Sequence, residues 1–166
     1  SIFGHCIHLK EAEIEILKDR KSSIAHCPTS NTFIGSGIFK MKELTDKKIN
    51  IGLATDTGGG TSFSMLKTIA ETYKISQLNN FSMHPAQLFW LATVGSAKAL
   101  NLENQIGNIK EGFYADLNIL NLSSTKEIEQ RCKRAKNFWE ELFPTLIMGD
   151  DRAIQSSWVS GNEIVL

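Results

Sequence analysis

Ile49-Asn50-Ile51-Gly52-Leu53-Ala54-Thr55-Asp56, followed by Thr57-Gly58-Gly59-Gly60-Thr61-Ser62, is a short apolar run that ends in an aspartate and breaks at once into glycine. A run of that length bounded by turn residues has strand character, and the hydroxyl-rich end of the break can cap a helix over residues 63–78. The pattern recurs twice upstream. Ser23-Ile24-Ala25-His26-Cys27 is a short buried strand stopped by Pro28, and Ile2-Phe3-Gly4-His5 is an apolar opening that ends in histidine. Between them, Leu9, Ala12, Ile14, Ile16 and Leu17 recur at helical spacing among Lys and Glu over residues 9–20. Residues 41–48 read as a brief helix after the loop Gly35-Ser36-Gly37. Three repeats of strand, loop and helix predict parallel βα units, hence an α/β fold.

Each predicted strand ends in a candidate ligand or acid/base group: His5, His26 and Asp56. The C-terminal ends of parallel strands are where α/β folds build their sites. One polar residue there is ordinarily a hydrogen-bonded core side chain. Three in three consecutive units point to a metal or acid/base site, and two imidazoles with a carboxylate suit zinc.

The chain has 166 residues, with 18 Lys+Arg against 18 Asp+Glu and a formal net charge of zero. A hydrophobic share of 42% and a charged share of 22% are those of a globular protein able to bury a core. Charge balance removes the electrostatic basis for binding nucleic acid or an anionic membrane. No apolar run approaches the ~20 residues of a membrane helix. Ser1-Ile2-Phe3-Gly4-His5 has no charged leader, cleavage site or initiator Met, so we expect no signal peptide and a start inside a longer protein. Cys6, Cys27 and Cys132 are odd in number and lack CxxC spacing, which suits a reducing cytosol and small buried thiols.

Downstream the texture changes. Residues 85–100 read as one helix opened by Pro85, with His84 at its start. A turn rich in Asn and Gly covers 101–112, residues 115–120 alternate like a strand, and 124–142 read as one charged helix. Residues 156–166 read as a strand pair around Gly161-Asn162. Trp90, Trp139 and Trp158 are expected as core or interface aromatics, and His8 as a surface or pocket-rim side chain.

Several segments, in order, carry a resemblance: Gly4-His5-Cys6-Ile7-His8-Leu9, Ala25-His26-Cys27-Pro28-Thr29-Ser30-Asn31, the run from Gly52 through Asp56 and the triple glycine to Ser62, Leu91-Ala92-Thr93-Val94-Gly95, Ile106-Gly107-Asn108-Ile109-Lys110-Glu111-Gly112 and Met148-Gly149-Asp150-Asp151-Arg152. Together they resemble the guanine deaminase branch of the amidohydrolase superfamily. The resemblance implies the C-terminal part of a (β/α)8 TIM-barrel metallohydrolase. Residues 1–105 would supply its last βα units with the helices that follow. Residues 106–166 would supply a charged helix and strands of a small β-sandwich. It also implies a cytoplasmic homodimer that replaces the 2-amino group of guanine with oxygen, giving xanthine and ammonia, and that uses one zinc ion.

The resemblance assigns roles residue by residue. Asp56 is the metal ligand that takes a proton from the attacking water. His5 orients that water or contacts the substrate, polarising the carbon under attack. His26 lines the pocket or braces the loop after it. Phe63 and Met65 either wall a purine pocket or pack as the start of a helix. The second and third glycines of the triple run are either a flexible turn or a close backbone approach.

The chain also departs from the pattern. A full barrel takes ~250 residues, and the family's His-x-His pair, His-x-x-Glu motif and purine-reading arginine have no counterpart here. His5-Cys6-Ile7-His8 has only the spacing of the second. Asp56 is therefore the only expected metal ligand. We expect the chain alone to be inactive and its open strand edges to self-associate. A deaminase or chlorohydrolase acting on adenosine, cytosine or triazines uses His5 and Asp56 equally well, and a non-catalytic assembly role is a further alternative. The missing His-x-Glu and Pro-Cys-x-x-Cys signature and the lack of a basic excess speak against a nucleic-acid deaminase.

Overall fold

A computed structural model describes residues 1–164. Strands β1 (Ile2–Gly4), β2 (Ser23–His26) and β3 (Asn50–Leu53) form a parallel sheet in the order β1-β2-β3. Ile24 lies opposite both Phe3 and Ile51, which fixes the register of all three strands. Helix α1 (Glu11–Asp19) joins β1 to β2, and α2 (Pro28–Phe33) and α3 (Met41–Asp46) join β2 to β3. Parallel strands require such crossovers, because a tight turn cannot reverse the chain twice.

Beyond the sheet run α4 (Met65–Leu78) and α5 (Pro85–Trp90), then a π-helical turn (Leu91–Gly95) and α6 (Ser96–Ala99). Strands β4 (Leu117–Leu120), β5 (Ile154–Val159) and β6 (Asn162–Ile164) form a separate antiparallel sheet, with α7 (Lys126–Cys132) and α8 (Phe138–Met148) between β4 and β5. One contiguous apolar core joins Ile24, Ile51 and Leu53 of the parallel sheet to Leu17 of α1, Leu66 and Ile69 of α4, and Leu142 and Leu146 of α8. The expected segments 1–105 and 106–166 thus both contribute to it.

The structure corrects four local expectations. Pro28 does not lead into a loop but opens α2, where its fixed φ and missing N–H suit the first helical turn. The region 124–142 is two helices, because Asn137 recaps the chain: its Oδ1 accepts from Glu140 N at 3.1 Å, and α8 then runs on to Met148. The helix over 85–100 is interrupted by the π turn. There Ser96 Oγ donates to Leu91 O at 2.8 Å and accepts from Leu53 N at 3.1 Å, so one hydroxyl ties the bulge to the end of β3. Trp90 and Trp139 are not core residues: both are exposed, with Lys98 Nζ lying 5.6 Å from the Trp90 ring centroid.

Smaller shifts follow the same logic. Ser64 rather than an earlier hydroxyl caps α4, accepting from Lys67 N at 3.4 Å, which leaves Phe63 outside the helix. His84 does start α5, its Nδ1 accepting from Ala86 N at 3.1 Å. Strand β5 begins at Ile154, and residues 165 and 166 of the expected strand pair lie outside the described residues. No helix among the described residues is long and apolar enough to cross a membrane.

The helix after the π turn presses directly on β3. A Cβ at Gly52 would come within 2.9 Å of Ser96 Cα. Gly52→Ala is therefore expected to destabilise the chain by about 1–3 kcal/mol through overpacking, read as a lowered denaturant midpoint with an unchanged slope.

Candidate active site

The sheet places two of the three expected groups side by side. His5 follows β1, and its backbone N–H donates to Ala25 O at 3.1 Å, so the ladder reaches one residue past the strand. Asp56 follows β3, where Ala54 N–H donates to His26 O at 3.0 Å. Both turn away from the strand direction through left-handed backbone, with φ of 64° at His5, 52° at Cys6 and 48° at Asp56. L-residues seldom occupy that region, and such strain gathers at functional positions. The turns bring His5 Nε2 to 3.7 Å from Asp56 Oδ2, with both side chains part-exposed. On the other edge of the ring, Nδ1 lies 2.8 Å from Asn31 Oδ1.

The glycine run is shaped by close approach. A Cβ on Gly60 would collide with the Thr55 carbonyl oxygen, and one on Gly59 would meet Ser30 Oγ at 2.8 Å and Asp56 Oδ2 at 3.2 Å. Gly60 N donates to Asp56 O at 2.5 Å, and Thr29 Oγ1 donates to Thr55 O at 3.2 Å. The loop after Asp56 is thereby held against the start of α2, which steadies the carboxylate.

Cys27 is the third member of the cluster, with donor atoms of His5, Cys27 and Asp56 all within 4.8 Å of one another. Its thiol donates to Ala25 O at 3.3 Å. Burial pushes that thiol up, the charge of Asp56 pushes it further, and a backbone hydrogen bond involving His5 partly offsets both. Both upward effects favour the protonated thiol when no metal is bound. The group fits part of a zinc site, since zinc takes about four ligands, and the Asp56 carboxylate is a donor that needs no proton removed.

The remaining histidines lie elsewhere. His26 is in the strand itself, 1% exposed, with its ring stacked on Phe39 at a centroid distance of 4.2 Å and its Nδ1 without a hydrogen-bond partner among the described residues. Burial pulls its pKa down to about 3, so the ring stays neutral. His8 Nε2 donates to Ser36 O at 2.8 Å at the surface. Phe63 is 86% exposed, and Met65 packs partly buried on the core. Asn31 and Cys27 went unrecognised as site residues, although both belong to the His-Cys-Pro-Thr-Ser-Asn run. An open cavity of about 560 Å³ lies apart, between α2, α4 and the end of α8, and neither His5 nor Asp56 lines it.

The amidohydrolase family model matches residues 1–164. The guanine deaminase of Escherichia coli strain K12 is 41% identical over 160 residues, which are 96% of this chain and 36% of that protein. A solved structure of E. coli guanine deaminase superposes with a TM-score of 0.96 at 40% identity, over 99% of this chain and 38% of that one. A guanine deaminase from C. acetobutylicum, solved with guanine bound in its active site, gives a TM-score of 0.85 at 28% identity over 99% of this chain and 39% of that one. An adenosine deaminase from Xanthomonas campestris with bound zinc gives 0.82 at 26% identity, over 98% of this chain and 36% of that one. The chain spans little more than a third of the length of these relatives.

The neutral, buried His26 has a thermodynamic signature. Its folded pKa of about 3 lies below the ordinary 6.5, so the unfolded chain binds the extra proton, and stability falls as pH drops from 6.5 towards 3. Between pH 7 and 5 the loss is about 2 kcal/mol from this residue. Paired denaturant titrations of the native chain and His26→Leu at both pH values should show the native chain losing that much more.

Proposed function

The chain belongs to the amidohydrolase family, and from that premise we propose that it is part of a zinc-dependent deaminase that hydrolyses guanine to xanthine and ammonia. Identity to guanine deaminases along nearly the whole chain supports that substrate over adenosine. The observation that carries the chemistry is the pair of His5 Nε2 and Asp56 Oδ2, 3.7 Å apart on strained backbone at the ends of the two strands flanking β2.

In this reading the parallel sheet supplies the last three strands of a (β/α)8 barrel, and β4-β5-β6 belong to a small β-sandwich. Water adds across C2 and N3 of the purine, the bond from C2 to the exocyclic nitrogen breaks, and the 2-amino group leaves as ammonia. One water proton ends on ring N3, the other on the departing nitrogen, and C2 keeps the oxygen as a carbonyl. Asp56 accepts a proton from the water and returns it to the departing nitrogen. His5 holds the water against the carbon under attack. Zinc, when bound, lowers the pKa of coordinated water towards ~7. Asp56 would hold it, and the remaining ligands would come from outside this chain, so turnover would require the rest of the relatives' length. His26 would brace the site from beneath through its stack on Phe39. The free thiols are in keeping with a cytoplasmic enzyme, which we propose to be a homodimer.

In the complete enzyme, Asp56→Asn is expected to lose both zinc and measurable conversion of guanine to xanthine. His5→Gln should keep zinc while kcat falls about 10²–10⁴-fold. Zinc analysis alongside xanthine formation checks both, and normal turnover by Asp56→Asn would refute the assignment.

A further inference from the structure

We propose that Asn31 is a positioning residue for His5: its side-chain oxygen holds the imidazole proton on Nδ1 and leaves Nε2 as the bare nitrogen that faces the site. The role rests on His5 being part of the deaminase site, but the placement of the proton can be measured without turnover.

Four observations support it. Asn31 is 2% exposed and fixed within α2, where its own N–H donates to Cys27 O at 3.0 Å. Its Oδ1 lies 2.8 Å from His5 Nδ1, the length of an N–H···O bond, whereas the 3.7 Å to Asp56 Oδ2 is too long for Nε2 to make one. Its Nδ2 is buried with no hydrogen-bond partner among the described residues, where its oxygen is the end of the amide in use. His5 itself is on left-handed backbone, turned out of the strand direction, and among the described residues Asn31 is the ring's hydrogen-bond partner.

The consequence for the site follows from counting lone pairs. With the proton on Nδ1, neutral Nε2 and the Asp56 carboxylate are two acceptors 3.7 Å apart, arranged to share the two protons of one water. Had the amide been turned over, Nδ2 would donate to Nδ1, and Nε2 would carry a proton instead. Asn31 thus selects which of two functions the imidazole performs.

The test is the tautomer of His5 in the complete enzyme labelled with ¹⁵N-histidine, read by long-range ¹H–¹⁵N correlation at a pH that keeps the ring neutral. His5→Gln assigns the signal. The native protein should show the proton on Nδ1, although free histidine favours Nε2. Asn31→Leu should move the proton to Nε2 and lower kcat/KM for guanine about 10–100-fold. Asn31→Asp, which keeps an acceptor oxygen, should return the proton to Nδ1 and recover much of the activity. A native His5 protonated on Nε2, or an Asn31→Leu protein that keeps the proton on Nδ1, overturns the proposal. Should Asn31→Leu fail to fold, the native and Asn31→Asp spectra decide it. Protonation on Nδ1 in a protein that does not convert guanine supports the role of Asn31 and overturns the deaminase reading instead.

Discussion

Ile24 pairs with Phe3 on one side and Ile51 on the other, and this parallel register determines nearly everything that follows. It makes β2 the central strand, buried between neighbours, and puts the ends of β1 and β3 on either side of it. Because a strand shows alternate faces, His26 on β2 falls inward against Phe39. His5 and Asp56 lie beyond their strands, where the backbone has already turned. Two histidines that each close an apolar run in sequence are separated by this one difference, and only His5 meets the carboxylate.

Much of the fold was legible. The three apolar runs, bounded by Gly, Pro and polar turns, became the three parallel strands, and α1, α3 and α4 lie where apolar spacing puts them. What was not legible depended on tertiary partners. Pro-Thr-Ser-Asn has the composition of a loop, yet it forms α2, with Pro28 in its first turn, Thr32 Oγ1 donating back to Pro28 O at 3.0 Å, and Thr29 Oγ1 donating to Thr55 O beyond β3. The break between α7 and α8 turns on one cap at Asn137, which charge patterning does not reveal. The π turn likewise answers to Ser96 and its bond to β3 rather than to any local signal.

The candidate site was partly legible for similar reasons. His5 and Asp56 were visible as strand-end groups. Asn31 was not, since an asparagine in a short polar run has no chemistry of its own until a helix buries it and a ring is set against its oxygen. Cys27 shows the converse. Its spacing beside His26 suggests nothing, and only its closeness to His5 and Asp56 brings it into the site, where burial and the nearby negative charge push its thiol pKa up.

The left-handed turns after β1 and β3 set two demands against each other. Glycine would relax the backbone at His5, Cys6 and Asp56 alike, yet at two of those positions it would remove the side chain on which the proposed chemistry rests. Cys6 carries no such obligation. Selection for heat tolerance alone would therefore reach that residue first, and relaxing the other two would trade the proposed reactivity for stability.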